Sequence, residues 1–300
     1  MYPNIAISNR IYPQHLGETF CDIYQDMYEQ RKSYPKGSAE NAMLKLALNG
    51  TYGKSNDKYS IFYDPKFTMQ ITINGQLSLC LLAEKLLSIP DLKIIQVNTD
   101  GITVALPRVY KEVYDSICSE WQEQVKLQLE FADYSKMIIR DVNNYIAVRE
   151  DGKIKEKGIF ETKKEWHKDN SYMVVPIAVR EYFVNNIPVE ETIHKHENIL
   201  DFCGRYKATK GWHVEFIYLD GDKEKRLNFG KIYRFLPVNR GGTSWKINKD
   251  GREHQLLEGY QTFPYNQKSE FDRKDLNYGF FVNEAQKLIQ TIKPLQMTLL

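Results

Sequence analysis

Two sets of residues have the types and spacing to do chemistry. The first centres on Asp100. From Ile94 to Val104, apolar and β-branched residues run up to the polar break Asn98-Thr99-Asp100-Gly101 and resume at once. Asp-Gly suits the positive φ values of a tight hairpin turn, so the pattern predicts two short strands joined at that break. An isolated Asp-Gly is commonly a plain surface turn. A lone carboxylate at the tip of two buried strands is also where a metal-binding, catalytic Asp would sit. The second set is Lys45, Asn49 and Tyr52, spaced i, i+4, i+7 and therefore on one face of a helix, with Met43, Leu44 and Leu48 as apolar neighbours. A cation, an amide and a phenol on one stripe are unusual for a helix with no other reason to hold them; a snorkelling lysine beside a buried Asn–Tyr pair is the plainer reading.

The elements that would position these residues follow from periodicity. Phe20, Ile23, Tyr24, Met27 and Tyr28 recur on one face of a helix from Leu16 to Lys32. Tyr34-Pro35-Lys36-Gly37-Ser38 makes a turn, and Ser38 caps a second, antiparallel helix reaching about Gly53. Tyr59–Tyr63 reads as a short strand, followed by a helix from about Asn74-Gly75 to Ser88. Beyond the hairpin come a helix over Val109–Leu127 and strands over Met137–Arg140, Tyr145–Arg149 and Lys153–Gly158. Helices follow over Tyr172–Val184 and Pro188–Phe202. From Trp212 the chain alternates like sheet, with turns at Asp220-Gly221, Arg240-Gly241-Gly242 and Asp250-Gly251, before a last helix over Asp275–Ile292. This order predicts an α+β fold with inserted subdomains.

Composition limits the classes. The 300 residues, 42% hydrophobic, are enough for a real core and more than one domain. A mean hydropathy of -0.53 and the absence of a signal-peptide pattern fit a soluble, intracellular chain without a membrane partner. The run Leu77–Leu87 is too short to span a bilayer and is broken by Glu84-Lys85. The four cysteines have neither disulfide-framework nor zinc spacing, which predicts a reducing compartment and buried thiols. His194 and His196 lie in a charged stretch that reads as a solvated helix face rather than a metal site. The net charge of +2 hides an uneven distribution, because Arg205–Arg252 holds twelve basic residues against five acidic ones. Such a segment suits a polyanion such as nucleic acid, or a solvated face.

Taken in order, Tyr2-Pro3-Asn4, then Lys45-x-x-x-Asn49-x-x-Tyr52-Gly53, then Asn98-Thr99-Asp100-Gly101 resemble the motifs of family B DNA polymerases in a phage-like form. The middle motif has Gly50 in place of a Ser. The third keeps Thr99 and Asp100, with Asn98 for the first Asp, Gly101 for Ser and Gln96 for Tyr. Thr72-Ile73-Asn74-Gly75-Gln76 is similar to the element the family carries between them. Asn143-Asn144-Tyr145 falls where a Lys-x-Tyr motif belongs, with Lys157-Gly158 after it. The resemblance covers roughly residues 1–205.

It implies an α+β fold with an antiparallel-sheet palm (1–15 and 58–170), helical-hairpin fingers (16–57) and a mixed α/β thumb with a basic β-rich extension (171–300). It implies a DNA-directed DNA polymerase acting in replication, with primer-template DNA and dNTPs as partners, located in the cytoplasm (the host cell's, if viral). Two magnesium ions would drive nucleotidyl transfer to a primer 3′-hydroxyl, with Asp100 as a catalytic and metal-binding carboxylate. Tyr2, Arg31, Lys45, Asn49 and Tyr52 would bind the nucleotide: Lys45 and Arg31 the triphosphate, Asn49 and Tyr52 the base-pair pocket, and Tyr2 the sugar. Thr99, Asn143, Tyr145, Lys157 and Gly158 would contact DNA, mostly at its backbone. One departure is serious: the family's first motif begins with a metal-binding Asp, which by register would precede Met1. The expectation is a C-terminal polymerase fragment, inactive alone, that has an upstream polymerase fragment as a partner. A non-catalytic nucleic-acid-binding protein on a polymerase scaffold shares every feature except the need for Asp100. Reverse transcriptases and RNA polymerases favour paired Asp residues at the turn, which this chain lacks.

Overall fold

The computed structural model describes residues 1–165, 168–266 and 271–292. The chain divides into two compact units, 1–131 and 132–300, and the division falls inside the segment assigned above to the palm. The last residues of the expected extension, 293–300, lie outside the described residues.

In the first unit a short helix α1 (Tyr2–Ser8), with Pro3 in its first turn, buries Ile5 and Ala6. Helices α2 (Thr19–Ser33) and α3 (Ala39–Lys54) form the expected antiparallel pair. The Ser38 hydroxyl accepts the Asn41 amide at 3.2 Å, as a capping residue should. Buried Asn41 then closes the hairpin, its Nδ2 donating to the carbonyls of Arg31 (3.0 Å) and Tyr34 (3.1 Å). Deeper in, the Tyr24 hydroxyl donates to the Leu48 carbonyl, and burial pushes that phenol's pKa up.

Helix α4 (Pro65–Leu86) begins about a turn and a half after Ser60, well before the expected start, and Tyr59–Tyr63 is an irregular turn segment rather than a strand. The reason is the cap. Asp64 accepts the amides of Lys66 (2.9 Å) and Phe67 (3.1 Å), and Pro65 takes the first helical position, where a missing N–H costs nothing. The preceding loop is tied down by His15 Nε2 on the Ile61 carbonyl (2.8 Å) and by the Gln14 amide on Asp64 (2.9 Å). Strands β1 (Lys93–Val97) and β2 (Ile102–Ala105) form the expected antiparallel hairpin, and helix α5 (Lys111–Val125) follows. The Trp121 indole donates to the Ser78 carbonyl at 2.8 Å and fixes α5 on α4. Ile5, Phe67, Ile71, Leu82, Leu86 and Trp121 share this unit's core.

The second unit opens with an antiparallel sheet, β3 (Tyr134–Asp141), β4 (Asn144–Arg149) and β5 (Ile154–Lys157). Helices α6 (Val174–Asn185) and α7 (Val189–Lys195) follow. The helix expected over Pro188–Phe202 is broken at His196, whose backbone is extended, and resumes only as a 3-10 turn over Ile199–Phe202. At that break His196 Nε2 bonds Asp201 (2.6 Å) and His194 stacks on Tyr278 (4.6 Å), so both histidines hold the junction. Then come β6 (Gly204–Lys207), β7 (Trp212–Asp220), β8 (Lys223–Gly230), β9 (Ile232–Val238), β10 (Thr243–Asn248), β11 (Glu253–Gln255) and β12 (Gln261–Pro264). They make two antiparallel sheets, ordered β11-β10-β7-β8 and β12-β9-β6. Between the sheets, buried Tyr233, Ser244 and Thr262 form a hydroxyl ladder with both steps at 2.7 Å, which satisfies three polar groups where water is excluded. Helix α8 (Tyr278–Gln290) closes the chain's described part, shorter at both ends than expected. Phe160, Val179, Phe202, Leu236 and Phe281 lie in the main core.

Cys21, Cys118 and Cys203 are buried, as expected of the thiols, and burial pushes the Cys203 thiol up to about 12; Cys80 is exposed. No helix among the described residues is long and apolar enough to cross a membrane.

Candidate nucleotide site

The turn at the tip of β1 and β2 is built by its own polar residues. The Asn98 amide donates to the Gly101 carbonyl at 2.9 Å, and the Asn98 side-chain oxygen accepts the Asp100 amide at 3.0 Å. This Asx turn leaves the Asp100 carboxylate exposed, with no hydrogen bond or ion pair among the described residues. Thr99 is exposed beside it. On β1, Gln96 is 8% exposed and its Oε1 has no hydrogen-bond partner.

Around this turn the fold gathers residues far apart in sequence. The Tyr2 and Tyr52 rings stack at 4.0 Å with planes 25° apart. Burial, the Tyr52 phenol and the Asp100 charge all raise the Tyr2 pKa, so Tyr2 remains a neutral phenol at physiological pH. The Met1 backbone nitrogen lies within electrostatic reach of both Asp100 and Arg31; burial lowers its pKa, Asp100 acts against that, and Arg31 adds to it. Arg31 is half-buried and donates its Nε–H to the Asn41 side chain at 3.4 Å. Lys45 and Asn49, on the same face of α3 as Tyr52, are exposed, and neither bonds another described residue. The structure thus brings Tyr2, Tyr52, Asp100 and Arg31 into one neighbourhood, with Lys45 and Asn49 along the helix that carries Tyr52.

Two positioning residues had no assigned role in the sequence reading. Thr72 on α4 hydrogen-bonds the Tyr52 hydroxyl at 2.9 Å and fixes the stacked pair from behind. Gly75, one turn later, lets α1 approach: a Cβ there would meet Met1 Cε at 2.8 Å and Ile5 Cδ1 at 3.2 Å. Their i, i+3 spacing is the signal, since it puts both on one face of a helix.

The other expected DNA-contact residues stand in the second unit. Tyr145 pairs with Lys157 across β4 and β5. Tyr145 is only 4% exposed, so its ring is a core group. Lys155 lies 5.7 Å over that ring; burial lowers its pKa, but hydrogen bonds to Tyr145 and Tyr134 outweigh burial and leave it raised. Lys157 is exposed. Asn143 is exposed in the β3–β4 turn, whereas its neighbour Asn144 does the bonding: Oδ1 accepts the Ile159 amide at 2.9 Å and Nδ2 donates to Asp141 at 2.8 Å. Gly158 sits against that amide at φ +64, where an added Cβ would fall 2.2 Å from Asn144 Oδ1 and 2.5 Å from the Asn143 carbonyl. Gly158→Ala is therefore expected to destabilise the second unit by at least about 2 kcal/mol through left-handed strain and the clash, read as a lowered midpoint in urea.

A single carboxylate such as Asp100 fills only part of a magnesium ion's coordination shell. Among the described residues no group of three or more His, Cys, Asp or Glu side chains comes together to hold an ion, and hard divalent cations take several oxygen ligands.

No family model and no curated protein matches the chain. Among solved structures, it is similar to the family B DNA polymerase from the hyperthermophilic archaeon Pyrobaculum calidifontis, with a TM-score of 0.54 and 14% sequence identity. The likeness covers 99% of this chain and 44% of that one, so the chain spans less than half of its neighbour's length. At that identity the likeness establishes a shared fold.

Proposed function

We propose that the chain is the nucleotide-binding part of a DNA-directed DNA polymerase of the family B kind, transferring dNTPs to a primer 3′-hydroxyl under a template. The observation that carries this reading is the stacked Tyr2–Tyr52 pair beside Asp100, with Arg31, Lys45 and Asn49 around it, in a polymerase-like fold. In this reading residues 1–15 and 58–170 belong to a palm, 16–57 to fingers, and 171–300 to a thumb with its basic extension. Lys45 and Arg31 hold the triphosphate, Lys as a mobile point charge and Arg as a fork. Tyr2 and Tyr52 offer a flat, neutral wall for the sugar and base, and Asn49 lines the same helix face. Thr99 in the first unit contacts DNA, and in the second unit Asn143, Lys157 and Gly158 contact its backbone, with Tyr145 supporting that sheet from the core.

Magnesium, in a completed site, would neutralise the charge that spreads over the triphosphate. Asp100 supplies one carboxylate for it. A second carboxylate, from elsewhere in this chain or from a segment joined ahead of Met1, would complete the site beside Asp100. Asn98, standing where the family's motif has an Asp, also suits a second reading, a nucleic-acid-binding protein on a polymerase scaffold without catalysis.

Primer extension with magnesium, with and without an Asp-bearing segment joined ahead of Met1, separates the two. The expected result is primer-template binding by both forms and extension only with the segment. Binding without extension in both forms selects the non-catalytic reading. Robust extension without the segment means that another carboxylate of this chain completes the site.

A further inference from the structure

Three segments distant in sequence meet at one edge of the β-rich half of the second unit. The Ala208 amide donates to the Lys231 carbonyl at 2.8 Å, the Lys249 amide donates to the Gly211 carbonyl at 3.2 Å, and Trp212 on β7 pairs with Asn248 on β10. The segments carry Lys207, Lys210, Lys231, Lys246, Lys249 and Arg252. All but Lys246 are exposed, and none of the six pairs with a carboxylate among the described residues. Among the acids here, Glu253 pairs with Arg226 at 2.9 Å and Asp220 with Lys225, while Asp250, in the same turn as Lys249 and Arg252, accepts the neutral Asn248 side chain at 3.3 Å and is one carboxylate among these six cations. Amid these cations stands the half-buried ring of Trp212, with the Lys246 ammonium 5.5 Å above it and the His254 ring 5.7 Å away.

Unpaired cations held at one edge repel one another, and that cost is relieved by a polyanion. The aromatic ring narrows the class. A duplex offers phosphates but keeps its base faces stacked inside, so it has no use for Trp212. A single strand offers both phosphates and open base faces, the combination that aromatic platforms in basic grooves bind. We infer that this edge binds single-stranded nucleic acid, with the sugar–phosphate backbone across the lysines and a base against Trp212. The inference goes beyond the nucleotidyl-transfer reading and uses neither Asp100 nor the residues around it.

The test uses the whole chain and a fluorescent twelve-nucleotide oligo-dT, without nucleotide or magnesium, so its failure leaves the nucleotidyl-transfer reading untouched. Anisotropy titrations at several salt concentrations should give Lys210→Glu/Lys249→Glu at least tenfold weaker binding. Its salt slope should be shallower by about 1.4, at about 0.7 per lost phosphate contact on a single strand. Trp212→Ala should weaken binding by about 5- to 100-fold with the slope kept, Trp212→Phe should retain most of the affinity, and duplex binding should change little in either. An oligonucleotide carrying 5-iodouracil should cross-link to Trp212. Wild-type affinity in the double lysine variant, cross-links confined to residues 1–131, or equal losses on single strand and duplex would each overturn the inference. The lysine variant alters only exposed side chains, so it stays decisive even where Trp212→Ala fails to fold.

Discussion

Asp100→Ala is expected to lower primer extension by at least about 10³-fold in the protein whose carboxylate pair is complete, while primer-template affinity stays within about twofold. The size follows from what is removed: a hard oxygen donor to an ion that offsets transition-state charge is worth several kcal/mol, and each 1.36 kcal/mol is a factor of ten in rate. The selectivity of the loss follows from the turn. Its geometry depends on the Asn98 side chain accepting the Asp100 amide and on the Asn98–Gly101 backbone bond, neither of which uses the Asp100 carboxylate. The carboxylate is exposed and bonds nothing among the described residues, so the fold loses no contact when it goes. Thermal stability should therefore stay within the range of ordinary surface substitutions, about 0.5 kcal/mol. Lys45→Ala is the informative contrast, because a triphosphate clamp acts on substrate binding and should raise the KM for dNTP more than it lowers kcat. Single-turnover extension assays, run beside DNA-binding titrations, read all of these effects. Extension that survives Asp100→Ala would remove the hairpin from the catalytic machinery.

The hairpin itself was legible because its signals are local. β-Branched strands flanking a polar break specify it without help from the rest of the chain, although neither Asp100 nor Gly101 takes the positive φ that Asp-Gly suits, and the Asn98 side chain closes the turn instead. The Ser38 cap was legible for the same reason. The strand expected over Tyr59–Tyr63 failed because aromatic and β-branched residues there satisfied a strand pattern, while the Asp64-Pro65 helix start that overrides it was passed over. What holds that loop is tertiary, through His15 and Gln14, and no local pattern carries it. Periodicity can place Lys45, Asn49 and Tyr52 on one face, but it cannot stack Tyr2 on Tyr52; only the ordered motif resemblance puts them together, and it marks Thr72 as part of an element without giving it a role. At the β3–β4 turn the motif pointed to Asn143, whereas the bonded side chain is that of Asn144. Which of the two asparagine side chains bonds within the fold is set by backbone geometry in the turn, which spacing does not encode.

Phe281→Ala is expected to cost the second unit about 3–5 kcal/mol, the usual range for deleting a fully buried aromatic side chain. Phe281 is 0% exposed. Its ring meets Phe202 edge-on at 5.1 Å, Phe280 at 5.0 Å and Tyr172 at 5.9 Å, so four aromatic rings from three separate segments share one cluster. Tyr172 is equally committed, since burial pushes its phenol's pKa up and its ring also packs on Phe235 of β9. Alanine leaves a cavity that these rings cannot close without giving up edge-to-face geometry with one another, which places the loss toward the upper part of the range. For a unit of this size each kcal/mol moves the midpoint by about 2–4 °C, so the expected drop is about 8–20 °C. Phe281→Leu keeps most of the volume and should cost less than half as much. The first unit has its own core, built on Phe67, Ile71 and Trp121. Calorimetry of the whole chain should accordingly show one transition falling and the other holding. Equal shifts of both transitions would mean that the two units unfold as one, and an unshifted profile would mean that the aromatic cluster is not the core of the second.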